Sequence, residues 1–248
     1  MQSSVRPSIH MTWRDLCFMH WRVDAAALRP WIPESLEVDE HEGSAWVGVV
    51  PFEMRDTRLW PLPSVPGLRH FPELNLRTYV RQGDRRGVWF FSLDACSRIA
   101  VRVARQTFAL PYLDARMSIR RAGGEAGGWV DFHSQRRGAF GAPPAVFKGR
   151  YRPCGPPASS EAGSVEHFLT ERYSLFARRG FGVPRSLRGG LVRGDIEHDP
   201  WPLQPAEVEL EELDMFKVIG LPLPEAPPLV HFAKRLTVRA FPPSRVGP

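Results

Sequence analysis

Glu73-Leu-Asn-Leu-Arg-Thr-Tyr79 alternates with period two. In an extended strand successive side chains leave on opposite faces, so Glu73, Asn75, Arg77 and Tyr79 share one side and Leu74, Leu76 and Thr78 the other. An acid, an amide, a guanidinium and a phenol in a row differ from the Lys, Glu and Thr that usually meet water. Two uses remain open for such a face: the solvated outer side of a sheet, or the wall of an enclosed pocket. The segment Val88-Trp-Phe-Phe-Ser-Leu-Asp94 repeats the pattern, with Phe90, Ser92 and Asp94 opposite Trp89, Phe91 and Leu93. Asp94 also suits the end of that strand and the turn that follows it.

Strand-like periodicity recurs at 10–22, 44–54, 115–121, 129–136, 145–152, 191–198, 206–213 and 229–240. Pro- and Gly-rich runs at 61–67, 122–128, 154–163 and 221–228 separate many of these segments. Three stretches read as helices. Asp24–Trp31 has an aspartate cap followed by alanines, and Ser97–Phe108 puts Ile99, Val103 and Phe108 on one side. Ser164–Arg178 has a Ser cap, Glu166 at the positive end of the dipole and an apolar face of Val165, Phe168, Leu169, Leu175 and Phe176. The expected fold is mainly β (α+β), in one domain spanning 1–248 with its core at about 10–240.

Composition narrows the function. The 248 residues are 43% hydrophobic, enough to fill a substantial core. No stretch approaches the ~18 consecutive apolar residues of a membrane span, and Met1-Gln-Ser-Ser-Val-Arg-Pro7 lacks the apolar centre of a secretory signal. The expected location is the cytoplasm, without a membrane partner. Cys17, Cys96 and Cys154 are odd in number and widely spaced, so free thiols are expected.

Of 33 basic residues only Lys148, Lys217 and Lys234 are lysines, leaving thirty arginines, and the formal charge is +6. Arginine's planar fork suits carboxylates, which favours an acidic small molecule. The arginines are scattered rather than arranged in a stripe with interleaved aromatics, so nucleic acid is not expected. No H-x-H or H-E-x-x-H, G-x-S-x-G, Gly-rich phosphate loop or Cys-His arrangement is present, so no metal and no cofactor are expected.

A family resemblance covers most of residues 10–240. It is carried by His20-Trp-Arg-Val-Asp-Ala-Ala-Ala-Leu-Arg-Pro-Trp-Ile-Pro-Glu-Ser-Leu-Glu-Val-Asp39, Glu73–Val80, Trp89–Asp94, Leu110-Pro-Tyr112, Phe168-Leu-Thr-Glu-Arg-Tyr173 and His198–Ala206. These segments resemble the acetoacetate decarboxylase-like superfamily, and more closely the YqjF-like bacterial family of unknown function grouped with it. The resemblance implies an antiparallel cone-shaped β-barrel with a few flanking helices and an enclosed pocket. In the decarboxylases a pocket lysine attacks the substrate ketone, a neighbouring lysine lowers its pKa, and a glutamate and an arginine help to position the acid group. Arg22 matches that arginine and Glu73 that glutamate. Tyr112 stands where the reacting lysine would be, and Leu113 replaces its neighbour. The resemblance is compatible with a homo-oligomer, although no segment specifies an interface.

Imine formation needs a primary amine, which a phenol cannot supply. The expected chemistry is therefore noncovalent acid/base work on a small organic acid or carbonyl compound. The catalytic candidates are Tyr112, Glu73 and Arg22; the ligand-binding candidates are Asn75, Arg77, Arg105, Tyr79, His20 and His198. Arg105 can meet a ligand carboxylate or pair with Glu73. Glu73 stays ionised if it pairs with Arg22 or Arg77, and holds its proton if it stands unpaired in an apolar pocket. The rival readings are a ligand-binding or sensing protein on the same scaffold, and a structural or partner-binding barrel whose polar faces are solvated.

Overall fold

The computed structural model describes residues 6–61, 67, 69–108, 110–122, 128–138, 142–178 and 190–246, without the side chains of 103 and 106–108. Its strands are β1 (Ile9–Val23), β2 (Glu37–Val38), β3 (Ala45–Leu59), β4 (Phe71–Gln82), β5 (Arg85–Ala95), β6 (Tyr112–Arg121), β7 (Val130–Arg136), β8 (Ala145–Pro153), β9 (Ser174–Arg178), β10 (Leu191–His198), β11 (Gln204–Leu213), β12 (Leu229–Ala240) and β13 (Ser244–Arg245). Among the described residues three α-helices, α1 (Ala25–Leu28), α2 (Arg98–Phe108) and α3 (Val165–Thr170), lie between them, and 3-10 turns occupy Arg29–Trp31 and Met215–Ile219.

The pairings close on themselves. β1 runs antiparallel to β12 and β3, β3 to β4, and β4 to β5. β5 then pairs in parallel with β9, which passes through β10 back to β12. A second branch leaves β5 through β6, β7, β8 and β11 and also returns to β12. Strands β12, β1, β3, β4 and β5 belong to both circuits, so they separate two interiors.

The shared strands consequently have two buried faces. In β4, Leu74, Leu76 and Val80 enter one apolar cluster, with Phe132, Phe147 and Phe216, while Phe71 enters another, with Phe18 and Phe52. In β1, Cys17, Met19 and Trp21 go to the first and Leu16 and Phe18 to the second. This explains continuous apolar runs such as Leu16–Met19, because a strand buried on both sides needs no polar alternation. The solvated-face reading of β4 is excluded for Glu73 and Asn75, which are 2% and 6% exposed.

Two irregularities re-aim side chains. Asp15 has φ of 51°. Before it Ile9, Met11 and Trp13 line the second interior, and after it Leu16 and Phe18 do. Aspartate is one of the few residues that tolerates that backbone region. In β5, Leu76 pairs with Ser92 but Arg77 pairs with Phe90, so Phe91 is skipped as a bulge. Phe90 and Leu93 therefore line the same cavity. Ser92 and Asp94 share the other face with their cross-strand partners Leu76 and Leu74. The expected grouping of Phe90 with Ser92 and Asp94 is corrected accordingly.

The helix expected over Ser164–Arg178 is also corrected. Ser164 does cap α3, accepting from the His167 N–H at 3.2 Å, but the helix stops at Thr170. The Arg172 Nε then donates back to the Phe168 carbonyl at 2.6 Å, and Ser174–Arg178 forms β9 between β5 and β10. Leu175 and Phe176 gain two strand partners there, which outweighs their helical spacing. In α2 it is Ala100, Val101 and Ala104 that face inward, whereas Ile99 is exposed; the Val103 and Phe108 side chains lie outside the described residues. The Asp24 cap forms as expected, accepting from the Ala26 N–H at 2.9 Å.

Gly87 makes the parallel β5–β9 contact feasible. A Cβ at this position would sit 2.8 Å from both the Phe176 ring and the Ser174 carbonyl. Gly87→Ala is expected to cost about 1–3 kcal/mol, read as a lowered midpoint in denaturant unfolding. An unchanged midpoint would contradict the docking of β9 on β5.

Candidate functional site

The interior enclosed by the first circuit contains a cavity of about 150 Å³. Its wall is mostly apolar, with Trp13, Phe18, Phe52, Phe71, Phe90 and Trp201 among the residues that line it. Polar groups enter from the alternating face of β4, which supplies Glu73, Asn75 and Arg77 in sequence.

Tyr112 is positioned by its backbone. The Tyr112 N–H donates to the Leu110 carbonyl at 2.8 Å across Pro111, a three-residue turn, and Pro111 accepts from the Leu93 N–H at 3.1 Å. Arg105 Nε donates to the Tyr112 carbonyl at 2.6 Å. Held from both sides, the phenol enters the cavity and donates to Glu73 Oε2 at 3.0 Å.

Burial dominates the electrostatics of this pair. It pushes the Glu73 carboxyl up to about 8, helped by the charge of Asp94 and opposed by hydrogen bonds from Tyr112 and Asn75. Tyr112 is driven well above the ordinary phenol range by burial first and by Glu73 second. At neutral pH both groups are therefore uncharged. On the far face of β5, Asp94 meets Arg136 at 2.9 Å with both side chains buried; burial raises Asp94 to about 6 against the pull of that arginine.

A second polar group lies further along β4. The hydroxyl of Tyr79 meets His20 Nε2 at 2.6 Å, donates to the Leu169 carbonyl at 2.7 Å and accepts from Arg77 at 3.3 Å. With the hydroxyl proton on Leu169, the His20 Nε2 carries a hydrogen. Burial, then Arg77 and His231, hold the imidazole well below its ordinary pKa, so it is neutral. Arg172 joins from the segment after α3, bonding Asp39 at 2.6 Å and stacking 4.2 Å over Phe168.

Of the residues expected from sequence, Glu73, Asn75, Arg77, Tyr112 and His198 line this one cavity. His198 Nδ1 donates to the Asp199 carbonyl at 2.7 Å, and its Nε2 is buried with no hydrogen-bond partner. Tyr79 and His20 are fully buried next to the cavity, and Arg105 supports Tyr112 from behind.

Arg22 is not brought into the site. Its side chain is 52% exposed, reaches Glu42 at 3.4 Å and lies 4.8 Å over Trp46. It has the parity of Phe18 and His20, but β1 runs on past the cavity to a separate cluster of Trp46, Tyr79, Phe168 and Leu169. The expectation that Arg22 and Glu73 share a chamber is corrected. Arg172, Thr170, Ser174 and Trp201 line the cavity without having been expected there. The run Thr170-Glu-Arg-Tyr-Ser174, interrupting the apolar helical pattern, was the available signal for the first three.

No lysine lines the cavity among the described residues. Lys148 pairs with Glu211, Lys217 with Asp214, and Lys234 with Asp15 at 3.0 Å. Among the described residues no cluster of three or more His, Cys, Asp or Glu could hold a metal, and no helix is long and apolar enough to cross a membrane.

The family model for DUF2071, uncharacterized conserved proteins, matches residues 10–237. The chain belongs to this family. A relative, the uncharacterized protein YqjF of Bacillus subtilis (strain 168), is 40% identical over 234 residues, covering 94% of this chain and 90% of its own. Among solved structures, an acetoacetate decarboxylase-like enzyme from Sphingomonas wittichii RW1 superposes with a TM-score of 0.66 at 16% identity, covering 98% of this chain and 94% of that one. The enduracididine biosynthesis enzyme MppR, complexed with pyruvate, gives 0.67 at 15% identity, covering 100% and 92%. At such identities the likeness is one of fold: this DUF2071 chain is a mainly β protein with an acetoacetate decarboxylase-like fold.

The raised Glu73 carboxyl has a consequence for stability. Between the unfolded value of 4.5 and about 8 the folded chain binds a proton that the unfolded chain has released. This contribution is full below 4.5 and is lost as pH rises through 8. Thermal unfolding of Glu73→Gln should therefore lack part of the decline in Tm that the wild type shows between pH 5 and 8.5. Parallel profiles would contradict a proton on Glu73.

Proposed function

We propose that this protein binds a small carbonyl or carboxylate compound in the β4-walled cavity and enolises it by noncovalent acid/base chemistry, without an imine. The observation that carries the reading is the 3.0 Å hydrogen bond from Tyr112 to Glu73 in an apolar cavity. A carboxylate whose pKa is raised to about 8 is a stronger base than an ordinary one. Ionised Glu73 removes the proton α to a ligand carbonyl. Neutral Tyr112 turns its one hydroxyl hydrogen from Glu73 to the carbonyl oxygen as negative charge develops there. Returning the proton to carbon, or to a different carbon, gives exchange or isomerisation.

Incubation of a methyl ketone such as 2-heptanone in D₂O, followed by NMR, tests this directly. Wild-type protein should accelerate deuterium uptake at the α carbons, with a rate that climbs through pH 8 as Glu73 ionises. Glu73→Gln should lower it about 100-fold or more, and Tyr112→Phe should also lower it. Uptake at the buffer rate would leave a protein that only holds its ligand. Borohydride should trap no adduct with bound ketone; a reduced adduct on Lys148, Lys217 or Lys234 would contradict imine-free chemistry.

A further inference from the structure

The cavity has two polar ends, and only one contains the acid/base pair. At the other, Arg77 and Arg172 flank the Tyr79 ring, their guanidinium carbons 5.7 Å and 5.0 Å from its centre. Arg77 Nη2 donates to the Leu169 carbonyl at 3.3 Å and Arg172 Nε to the adjacent Phe168 carbonyl at 2.6 Å. Arg172 is 5% exposed and has one acidic partner, Asp39, which Arg86 also approaches at 3.8 Å. Arg77 has no acidic partner among the described residues. Arg172 Nη2 and Arg77 Nε are buried without a hydrogen-bond partner. Two permanent cations, one carboxylate shared with a third arginine, and two unused donors leave this end short of an anion. Neutral His20 and the Tyr79 hydroxyl do not provide one.

The spacing of the two ends sets the ligand's shape. Glu73 and Arg77 are four residues apart on one face of β4, roughly 13 Å between Cα atoms. Arg77 bonds Tyr79, the residue further along the strand, so its guanidinium leans away from Glu73. Between the ends the wall is aromatic, with Phe18 under Arg77 at 5.4 Å. We propose that the ligand is an elongated monoanionic keto acid, its carboxylate held by Arg77 and Arg172, its ketone at Tyr112 and Glu73, and an apolar spacer of several carbons between them. A 3-oxo acid, with its ketone two bonds from the carboxylate carbon, is too short to reach both. This rests on the acid/base reading for the ketone end only.

Quenching of tryptophan fluorescence, with Trp13 and Trp201 in the wall, and calorimetry on the full chain give the affinities. The probes are 4-oxopentanoate, 5-oxohexanoate, 6-oxoheptanoate and the uncharged 2-heptanone. Affinity should rise about fourfold per added methylene, and Arg77→Gln should weaken the acids about tenfold or more relative to its effect on 2-heptanone. Arg77→Lys should restore part of the loss. Equal binding of acid and ketone, or an Arg77→Gln loss common to both, overturns the anion end even if Glu73-dependent exchange persists. Acids that bind through Arg77 yet show no exchange leave the anion end standing and remove the enolisation. A flat series across the three acids overturns the spacer.

Discussion

Strand β4 has no face in water. Its Leu74 and Leu76 side is packed into one interior and its Glu73, Asn75 and Arg77 side borders another, because two strand circuits share it. A polar row in that position cannot be satisfied by bulk solvent, so each group must find a protein partner, change its ionisation or wait for a ligand. All three outcomes occur along four residues. Asn75 and Tyr112 bond Glu73, Glu73 keeps its proton, and Arg77 retains an unpartnered buried nitrogen.

The same constraint acts here on groups other than an amine. A reacting lysine gains its reactivity when burial or a neighbouring cation lowers its pKa. Here burial acts on a carboxyl and a phenol and moves both pKa values upward, giving a neutral pair whose acid can become a strong base. The lysines lie elsewhere, each paired with an acid.

Much of this was legible in the sequence because it depends on local periodicity. The polar face of β4 and its apolar reverse follow from alternation, and most strands fall within a few residues of their expected limits. The alternation failed where the sheet departs from regularity. The positive φ at Asp15 and the skipped Phe91 each shift which side chains face the cavity, and both arise from strand pairing across the circuit. β9 carries helical spacing but is recruited by β5 and β10, and the cavity residues Thr170, Arg172 and Ser174 were hidden with it. Arg22 has the correct parity and the wrong depth: periodicity gives a side chain's face, not where along the strand the cavity ends.

The proposed chemistry depends most on one proton. Infrared difference spectra of wild type minus Glu73→Gln, titrated from pH 5 to 10, report the carbonyl stretch of a protonated carboxylic acid directly. A band that persists through neutral pH and disappears with a midpoint near 8 is the expected result. A Glu73 already ionised at pH 6 would contradict the buried neutral pair and the chemistry proposed for it.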